Sequence, residues 1–167
     1  QVSGNLATDY AKTILALASA GKNPATFGNI DYVAKLKTYF NNNQMGGAGL
    51  VNDDMWSILA LASVKENNSA EAVASKNFIL SNQNSDGGWG YAVGGDSDTN
   101  DTATAIMALA EAGISASNSA IVNAVAYLNL AQNADGGFSW SIGGDSDSGS
   151  DAWVISSLYK IGQNPAL

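Results

Sequence analysis

A segment that occurs twice constrains this chain more than any other feature of its sequence. Residues 83–103 read QNSDGGWGYAVGGDSDTNDTA, and residues 132–152 read QNADGGFSWSIGGDSDSGSDA. A shorter relative, QMGGAGLVNDD, occupies residues 44–54. Each copy follows one apolar segment and leads into the next. This alternation is typical of a repeat protein, in which each unit buries its apolar face against its neighbours.

Four Ala-rich runs accompany the repeated loops. They read ILALASAG, ILALASVK, IMALAEAG and ISSLYKIG, and they begin at Ile14, Ile58, Ile106 and Ile155. A helix that is apolar around most of its circumference is buried on several sides. The runs therefore predict four buried helices over roughly residues 9–20, 53–64, 101–112 and 151–161. Three of them end at a glycine suited to a C-terminal cap: Gly21, Gly113 and Gly162.

Three further segments show apolar residues on one face only. They cover roughly residues 30–44, 70–83 and 118–132, and they alternate with the Ala-rich runs. We find no pattern typical of a strand. The sequence thus predicts an all-α fold with about seven helices, in one domain over residues 1–167. The repeats cover about residues 9–52, 53–100 and 101–150, and residues 151–167 form a final half repeat.

The loop residues carry a resemblance to a known superfamily. Phe78, Leu80, Gln83 and Gly87-Gly88-Trp89 resemble the QW motif, and Gln132 with Phe138 resembles it with Phe for Trp. The chain is thereby similar to the α/α-toroid superfamily of squalene cyclases, protein prenyltransferase β subunits and transcobalamin-like carriers. Its repeats look most like the prenyltransferase/squalene-oxidase-type repeats of secreted or surface-anchored prokaryotic proteins.

The resemblance implies a partial toroid with four inner and three outer helices. It also implies that the Gln amide bridges helix ends and stacks on the aromatic ring, which is a scaffold role. Complete toroids of the superfamily have roughly a dozen helices. The resemblance therefore implies that the ring is completed by a second copy of the chain or by the rest of a longer chain.

Composition excludes several kinds of function. The chain has no Cys and no His, so zinc sites of the Cys/His kind, thiol catalysis and Ser-His-Asp triads are excluded. Seven Lys against fifteen acidic residues give a net charge of −8 (7 − 15), and no basic residue lies between Asn77 and Tyr159. Such a surface disfavours nucleic acid and anionic lipid. No apolar run approaches the roughly 20 residues of a membrane span.

One tetrapeptide bears directly on catalysis. Cyclases of the superfamily protonate their substrate with the central Asp of a DxDD motif, and the corresponding residues are Asp98-Thr99-Asn100-Asp101. Asn100 has no acidic proton to give, so the general acid is missing. The sequence favours a non-catalytic domain. The alternatives are a terpene-cyclase-like enzyme and a carbohydrate-active enzyme that uses paired carboxylates such as Asp96 and Asp145.

The Asp-rich loops predict either helix caps or a calcium site. Alternating oxygen ligands suit a hard cation. The residues that could supply them are Asp96, Asp98, Asn100, Asp145, Asp147 and Asp151. The same loops precede helices, where Asp98, Asp101, Ser150 and Asp151 could accept hydrogen bonds from free N–H groups. Neither loop continues as an EF-hand.

Four aromatic residues are candidates for ligand binding. Trp56 and Trp153 stand at equivalent positions, two residues before aligned isoleucines, and Tyr91 and Trp140 lie in the loops. The favoured hypothesis is an extracellular or cell-surface domain that binds a ligand or a partner without chemistry, and the resemblance offers cobalamin as a ligand. A structural or adhesive module of a surface protein is the competing hypothesis.

Overall fold

A computed structural model describes Val2 and residues 4–165 of the chain. Within them lie seven α-helices: α1 (Ala7–Ser19), α2 (Tyr32–Lys37), α3 (Val51–Ser63), α4 (Ala70–Ser81), α5 (Thr99–Glu111), α6 (Ser119–Ala131) and α7 (Ser148–Lys160). A 3-10 turn at Phe27–Asn29 precedes α2, and a hairpin of two short strands, β1 (Phe40–Asn41) and β2 (Gln44–Met45), follows it. The all-α prediction is confirmed.

The helices form two layers. Helices α1, α3, α5 and α7 lie side by side, each in contact with the next, and they make the inner layer. Helices α2, α4 and α6 each pack against the inner helix that precedes them and make the outer layer. This is the alternation of four inner and three outer helices that the repeats and the resemblance predict.

Apolar side chains fill the space between the layers. One cluster around Ile14 and Leu36 joins the first two helix pairs, and a second around Trp89 and Ile106 joins the last three inner helices. These four side chains are fully buried. Each inner helix therefore contributes to a core shared with its neighbours, as expected of stacked repeats.

The inner helices end in the same way. In α5, Gly113 N donates to Ala110 O (3.1 Å) and Ile114 N donates to Leu109 O (2.9 Å), which is the Schellman pattern. The glycine takes a left-handed conformation, with φ of 83°. The caps predicted at residues 21, 113 and 162 are thus confirmed.

The inner helices begin two or three residues earlier than the sequence predicts. Asp98 and Asp147 are the N-caps of α5 and α7, whereas Asp101 and Ser150 already lie inside the first turn. The Asp98 carboxylate accepts a hydrogen bond from Asp101 N at 2.8 Å. The first Asp of each motif, rather than the last, therefore satisfies the free N–H groups of the helix.

The helix predicted over residues 30–44 is wrong in its second half. Helix α2 ends at Lys37, and the chain then forms the β1–β2 hairpin. Asn42 and Asn43, at its turn, have φ of 49° and 63°. Positive φ at both central residues defines a type I′ turn, and Asn tolerates this conformation better than most residues. The Asn run therefore favours a turn over helix continuation.

Candidate functional site

Both copies of the repeated loop have the same internal hydrogen bonds. We call residues 83–98 the interior loop and residues 132–147 the edge loop. In the interior loop, Asn84 Nδ2 donates to Gly95 O and to Ser97 Oγ, both at 2.9 Å. Asn133 Nδ2 makes the two equivalent bonds, at 3.0 and 2.9 Å, in the edge loop. The shared sequence therefore encodes one loop structure twice.

The interior loop fastens two outer helices together. Gln83 Nε2 donates to Gly87 O (2.7 Å) and to Ala120 O (2.8 Å) at the start of α6. Trp89 is fully buried, and its indole N–H donates to Ile79 O of α4 at 2.8 Å. The bridging role that the resemblance implies for Gln83 is confirmed, and Trp89 belongs to the core.

The DxDD-like segment at the start of α5 is held by hydrogen bonds. Asp98 caps the helix, and Asp101 Oδ1 accepts from Asn52 Nδ2 of α3 at 2.7 Å. Burial raises the pKa of Asp98 to about 7, and the nearby carboxyl of Asp101 acts in the same direction, while the hydrogen bond from Asp101 N opposes them. Asn100 is half-buried, and its Oδ1 has no hydrogen-bond partner among the residues described.

The hydrogen bonds of this segment connect several parts of the structure. The central position carries an amide, which cannot donate an acidic proton. Asp98 already serves as the cap of α5, and Thr99 N at the same helix end donates to Trp140 O at 2.9 Å. The arrangement links α3, α5 and the edge loop at one end of the inner layer.

The residues of the calcium hypothesis have different surroundings in the structure. Asp98 and Asp147 cap helices, Asp151 Oδ1 accepts from Phe138 N (2.7 Å), and Asp96 and Asp145 are exposed. No three acidic residues within residue 2 and residues 4–165 are grouped so as to hold a metal ion. Asp98 and Asp147 therefore act as helix caps, and calcium binding by the loops stays a prediction.

Trp56 and Trp153 meet across α5. Their ring centroids lie 5.6 Å apart with an interplanar angle of 87°, an edge-to-face contact. Helices α3 and α7 flank α5, so the two rings bridge inner helices that are not neighbours. Lys12 Nζ lies 4.7 Å from the centroid of the Trp56 ring. The rings remain half-buried.

These side chains share one column of the repeat. Lys12, Trp56, Thr104 and Trp153 each precede an aligned isoleucine by two residues. The structure brings together the two tryptophans that the sequence singled out, and it adds Lys12, which sequence reasoning missed. Its position two residues before an aligned isoleucine was the signal that could have identified Lys12. These equivalent positions, which we call the tryptophan column, line one face of the inner layer with a cation and two large rings.

Tyr91 and Trp140 lie at the tips of the two loops. Their side chains are 54% and 60% exposed. Tyr91 O accepts from Asn52 N (3.2 Å), as Trp140 O accepts from Thr99 N. Each loop tip therefore covers the N-terminal end of the preceding inner helix with its backbone and leaves its aromatic ring at the surface.

An open groove of about 460 Å³ separates the two loops. Asp86, Asp96 and Tyr127 line it on one side, and Ser141 and Ile142 of the edge loop line it on the other. The Tyr127 hydroxyl donates to Ser97 O at 2.8 Å, and burial raises its pKa to about 12. The groove is polar and acidic, unlike the tryptophan column.

A second carboxyl that the sequence does not distinguish is buried at the start of α3. Asp54 is fully buried, and its Oδ1 accepts from Met45 N at 2.8 Å. Burial raises its pKa to about 7, and Ser75 of α4 and Met45 N both act to lower it. Asp54 thus joins α3 to the hairpin.

Comparison with known proteins identifies the family. The family described as the squalene-hopene cyclase N-terminal domain matches residues 54–139, just over half of the 167 residues. The chain belongs to this family, and the α/α-toroid fold expected from the loop motifs is confirmed. No curated protein matches the chain. None of the described helices is long and apolar enough to cross a membrane.

Proposed function

We propose that this member of the squalene-hopene cyclase N-terminal domain family is a binding domain that performs no chemistry on its ligand. The observation that supports the proposal is the contact between Trp56 and Trp153. Two half-buried rings that bridge non-adjacent helices offer a stacking and apolar surface without closing it from solvent.

The residue at the centre of the DxDD-like motif argues against cyclase activity. A cyclase needs a strong acid at the centre of the DxDD motif, and Asn100 occupies that position. Asp98 is committed to the helix cap. A cyclase-like activity is compatible with the family, so it is the alternative that the experiments must address.

Lys12 and the two rings suggest a ligand class. A planar or apolar ligand with an anionic group would stack on the rings and meet the ammonium group at their edge. Cobalamin is a large planar ligand that the resemblance to transcobalamin-like carriers offers, and we propose it as the first probe. An extracellular or cell-surface location belongs to the same proposal and rests on that resemblance.

Retention of colour tests the cobalamin proposal. The protein is mixed with excess cobalamin and desalted, and the absorbance of the protein fraction is recorded. We expect coloured protein, with at least a ten-fold weaker affinity in Trp153→Ala and an unchanged affinity in the control variant Lys76→Ala, which lies on the outer helix α4. A colourless wild-type fraction rejects cobalamin, and an unaffected Trp153→Ala protein rejects the tryptophan column as its site.

Incubation with squalene tests the enzyme alternative. Extracts are examined by gas chromatography and mass spectrometry for cyclic products. We expect none, because the general acid is absent. Cyclisation by the wild-type chain would overturn the non-catalytic proposal, and a stimulation in Asn100→Asp would identify position 100 as the acid site.

Calcium binding by the loops remains a proposal, which rests on the alternation of oxygen-bearing side chains in their sequence. Chelation is the direct test: EDTA should lower the melting temperature and added calcium should restore it if a cation stabilises the loops. An unchanged melting temperature rejects calcium. A protein that binds neither cobalamin nor calcium and turns over no squalene fits the structural or adhesive alternative.

A further inference from the structure

Three inner helices hold the loop that precedes them with the same position of the repeat. This position lies four residues before an aligned isoleucine and carries Asp54 in α3, Thr102 in α5 and Asp151 in α7. Each side chain accepts a hydrogen bond from one backbone N–H of the loop. The donors are Met45 N (2.8 Å), Trp89 N (3.0 Å) and Phe138 N (2.7 Å), in the same order. The repeat therefore offers three versions of one attachment.

The three versions differ in burial and in charge. Thr102 is fully buried but neutral, and its hydroxyl also donates to Trp89 O at 3.3 Å. Asp151 can ionise, but it is only half-buried. Asp54 combines an ionisable group with complete burial. Of the three positions, it is therefore the one at which the loss of a proton places a charge inside the core, which is costly.

The second oxygen of the Asp54 carboxyl is suited to carry a proton. Oδ1 accepts from Met45 N, whereas Oδ2 is buried and has no hydrogen-bond partner among the residues that the structure describes. Ser75 Oγ of α4 is buried and unpartnered in the same sense, and Ser75 acts on the Asp54 carboxyl. An ionised carboxylate only accepts hydrogen bonds, whereas a protonated one also donates. A proton on Oδ2 therefore allows Asp54 to donate to Ser75 Oγ and to join α3 to α4.

The charged groups around Asp54 do not favour its ionised form. The elements in closest contact with α3 are α1, α4, α5 and β2. Their titratable groups are Asp9, Tyr10, Lys12, Glu71, Lys76, Asp101 and Glu111, and α3 itself adds Asp53. Of these groups, Asp53 is the one that acts on the Asp54 carboxyl, and its negative charge opposes ionisation. A buried carboxylate that no cation compensates destabilises the packing around it.

We propose that Asp54 is a pH-sensitive latch, which holds the β1–β2 hairpin against α3 and α4 when protonated and loosens it when ionised. Met45 is fully buried under the closed latch, so loosening exposes it. Burial raises the pKa of Asp54 from 3.8 to about 7. The closed form thus binds the proton more tightly than the open form, and closure is strongest in acid and weakens as the pH rises to about 7. The latch goes beyond the ligand proposal and requires no ligand.

Hydrogen exchange of the Met45 N–H tests the latch directly. Nuclear magnetic resonance follows it from about pH 4.5 to about pH 7, as a protection factor that removes the pH dependence of the intrinsic exchange rate. Asp54→Asn mimics the protonated form, because its amide also donates, and Asp54→Thr installs the neutral side chain that α5 uses. Asp53→Asn makes the same change one residue earlier, and Asp98→Asn removes the other carboxyl with a pKa of about 7. Circular dichroism and melting temperature confirm that each variant folds.

The proposal expects the protection of the wild-type Met45 N–H to fall at least about ten-fold over this range. The fall should disappear in both Asp54 variants and persist in Asp53→Asn and Asp98→Asn. Carbon resonance of the wild-type Asp54 carboxyl tests the latch without any variant, with a titration midpoint expected at about 7. Constant protection of Met45 overturns the proposal, as does a fall that survives in the Asp54 variants or is lost in either control. A carboxyl that titrates at its ordinary pKa of 3.8 also overturns it.

Discussion

The interior loop and the edge loop have nearly the same sequence and the same internal bonds, yet their surroundings differ. Trp89 is fully buried and its indole N–H bonds to α4, whereas Phe138, its counterpart, is half-buried. Gln83 reaches α6, and Gln132 bonds only within its own loop among the described residues. The loop sequence therefore determines the turn, and the neighbouring helix determines how much of the loop is buried.

The same difference changes the chemistry of one aspartate. Asp98 and Asp147 are equivalent N-caps. Burial raises the pKa of Asp98 to about 7, whereas hydrogen bonds from the backbone N–H and the hydroxyl of Ser150 lower the pKa of exposed Asp147. One position in the repeat thus stabilises the fold in opposite pH ranges, depending on its neighbours.

The largest expected effect is a difference in the free energy of unfolding between alanine variants of the two aromatic loop residues. Trp89→Ala should lower the free energy of unfolding by about 3–5 kcal/mol, because it removes a fully buried ring. Phe138→Ala should cost less than half as much, because Phe138 is already half-buried. Denaturant titration measures both. Trp89→Phe, which keeps a ring but loses the bond to Ile79 O, should fall between them, and equal losses for the two Ala variants would contradict the comparison.

The next largest expected effect is a difference between Asp98 and Asp147 in how each changes stability with pH. The folded state holds the proton of Asp98 more tightly than the unfolded state, so its contribution is full below its ordinary pKa of 3.8 and is lost as the pH rises to about 7. One pKa unit corresponds to about 1.4 kcal/mol, so this decline is worth at most a few kcal/mol. Asp98→Asn keeps a cap but should flatten the decline of melting temperature over that range. Asp54 should retain part of it, because its pKa is also raised to about 7.

Asp147 supplies the control for that profile. Its lowered pKa means that its contribution is present above the ordinary pKa and is lost as the pH falls through the folded value. Asp147→Asn should therefore change only the acid limb of the profile. If Asp98→Asn and Asp147→Asn flatten the same limb, the environments of the two caps do not differ as the structure indicates.

A smaller effect should appear at the glycines. Gly87 and Gly136 have φ of 92° and 87°, so an alanine at either position is strained by about 1–2 kcal/mol. Gly87→Ala should cost about 1–3 kcal/mol more, because its Cβ would overlap Asn123 O. Thermal and denaturant unfolding of the two variants give the difference directly. Equal destabilisation of the two variants would show that α6 can move away from the added Cβ without a loss of stability.

The smallest effect should come from the glutamines. Gln83→Ala leaves Ala120 O without its side-chain donor and should cost about 1–2 kcal/mol. Gln132→Ala should change stability by less than about 0.5 kcal/mol in dilute protein, as surface substitutions usually do. The measurement is denaturant unfolding at low concentration, where self-association contributes least. A Gln132→Ala loss as large as that of Gln83→Ala would contradict the comparison.

The repeats made much of the fold predictable. Ala-rich runs bounded by Asp and Gly predicted the inner helices to within three residues, because burial and capping are encoded locally. The end of α2 at Lys37 was not predicted, because the helical spacing of apolar residues continues beyond it. The turn at Asn42 and Asn43 instead folds that segment into a hairpin. Local turn preference there outweighed periodicity.

The candidate site was less predictable because its contacts join distant parts of the chain. Asn52 and Asp101 are 49 residues apart in sequence. Alignment placed Trp56 and Trp153 in one column, but only the packing of α3 and α7 around α5 shows that their rings meet. The alternating Asp residues left helix caps and calcium both open, because sequence spacing does not reveal which backbone N–H groups each carboxylate binds.

Hydrogen exchange of side-chain N–H groups in the two loops tests most directly whether the neighbouring helix controls their stability. Nuclear magnetic resonance of dilute protein can follow the Gln83 and Gln132 amides together with the Trp89 indole N–H. We expect the Gln83 amide and the Trp89 indole to exchange only through large-scale unfolding, and the Gln132 amide to exchange rapidly. Equal protection of Gln83 and Gln132 would show that the loop sequence alone sets their stability and would contradict the role assigned to α6.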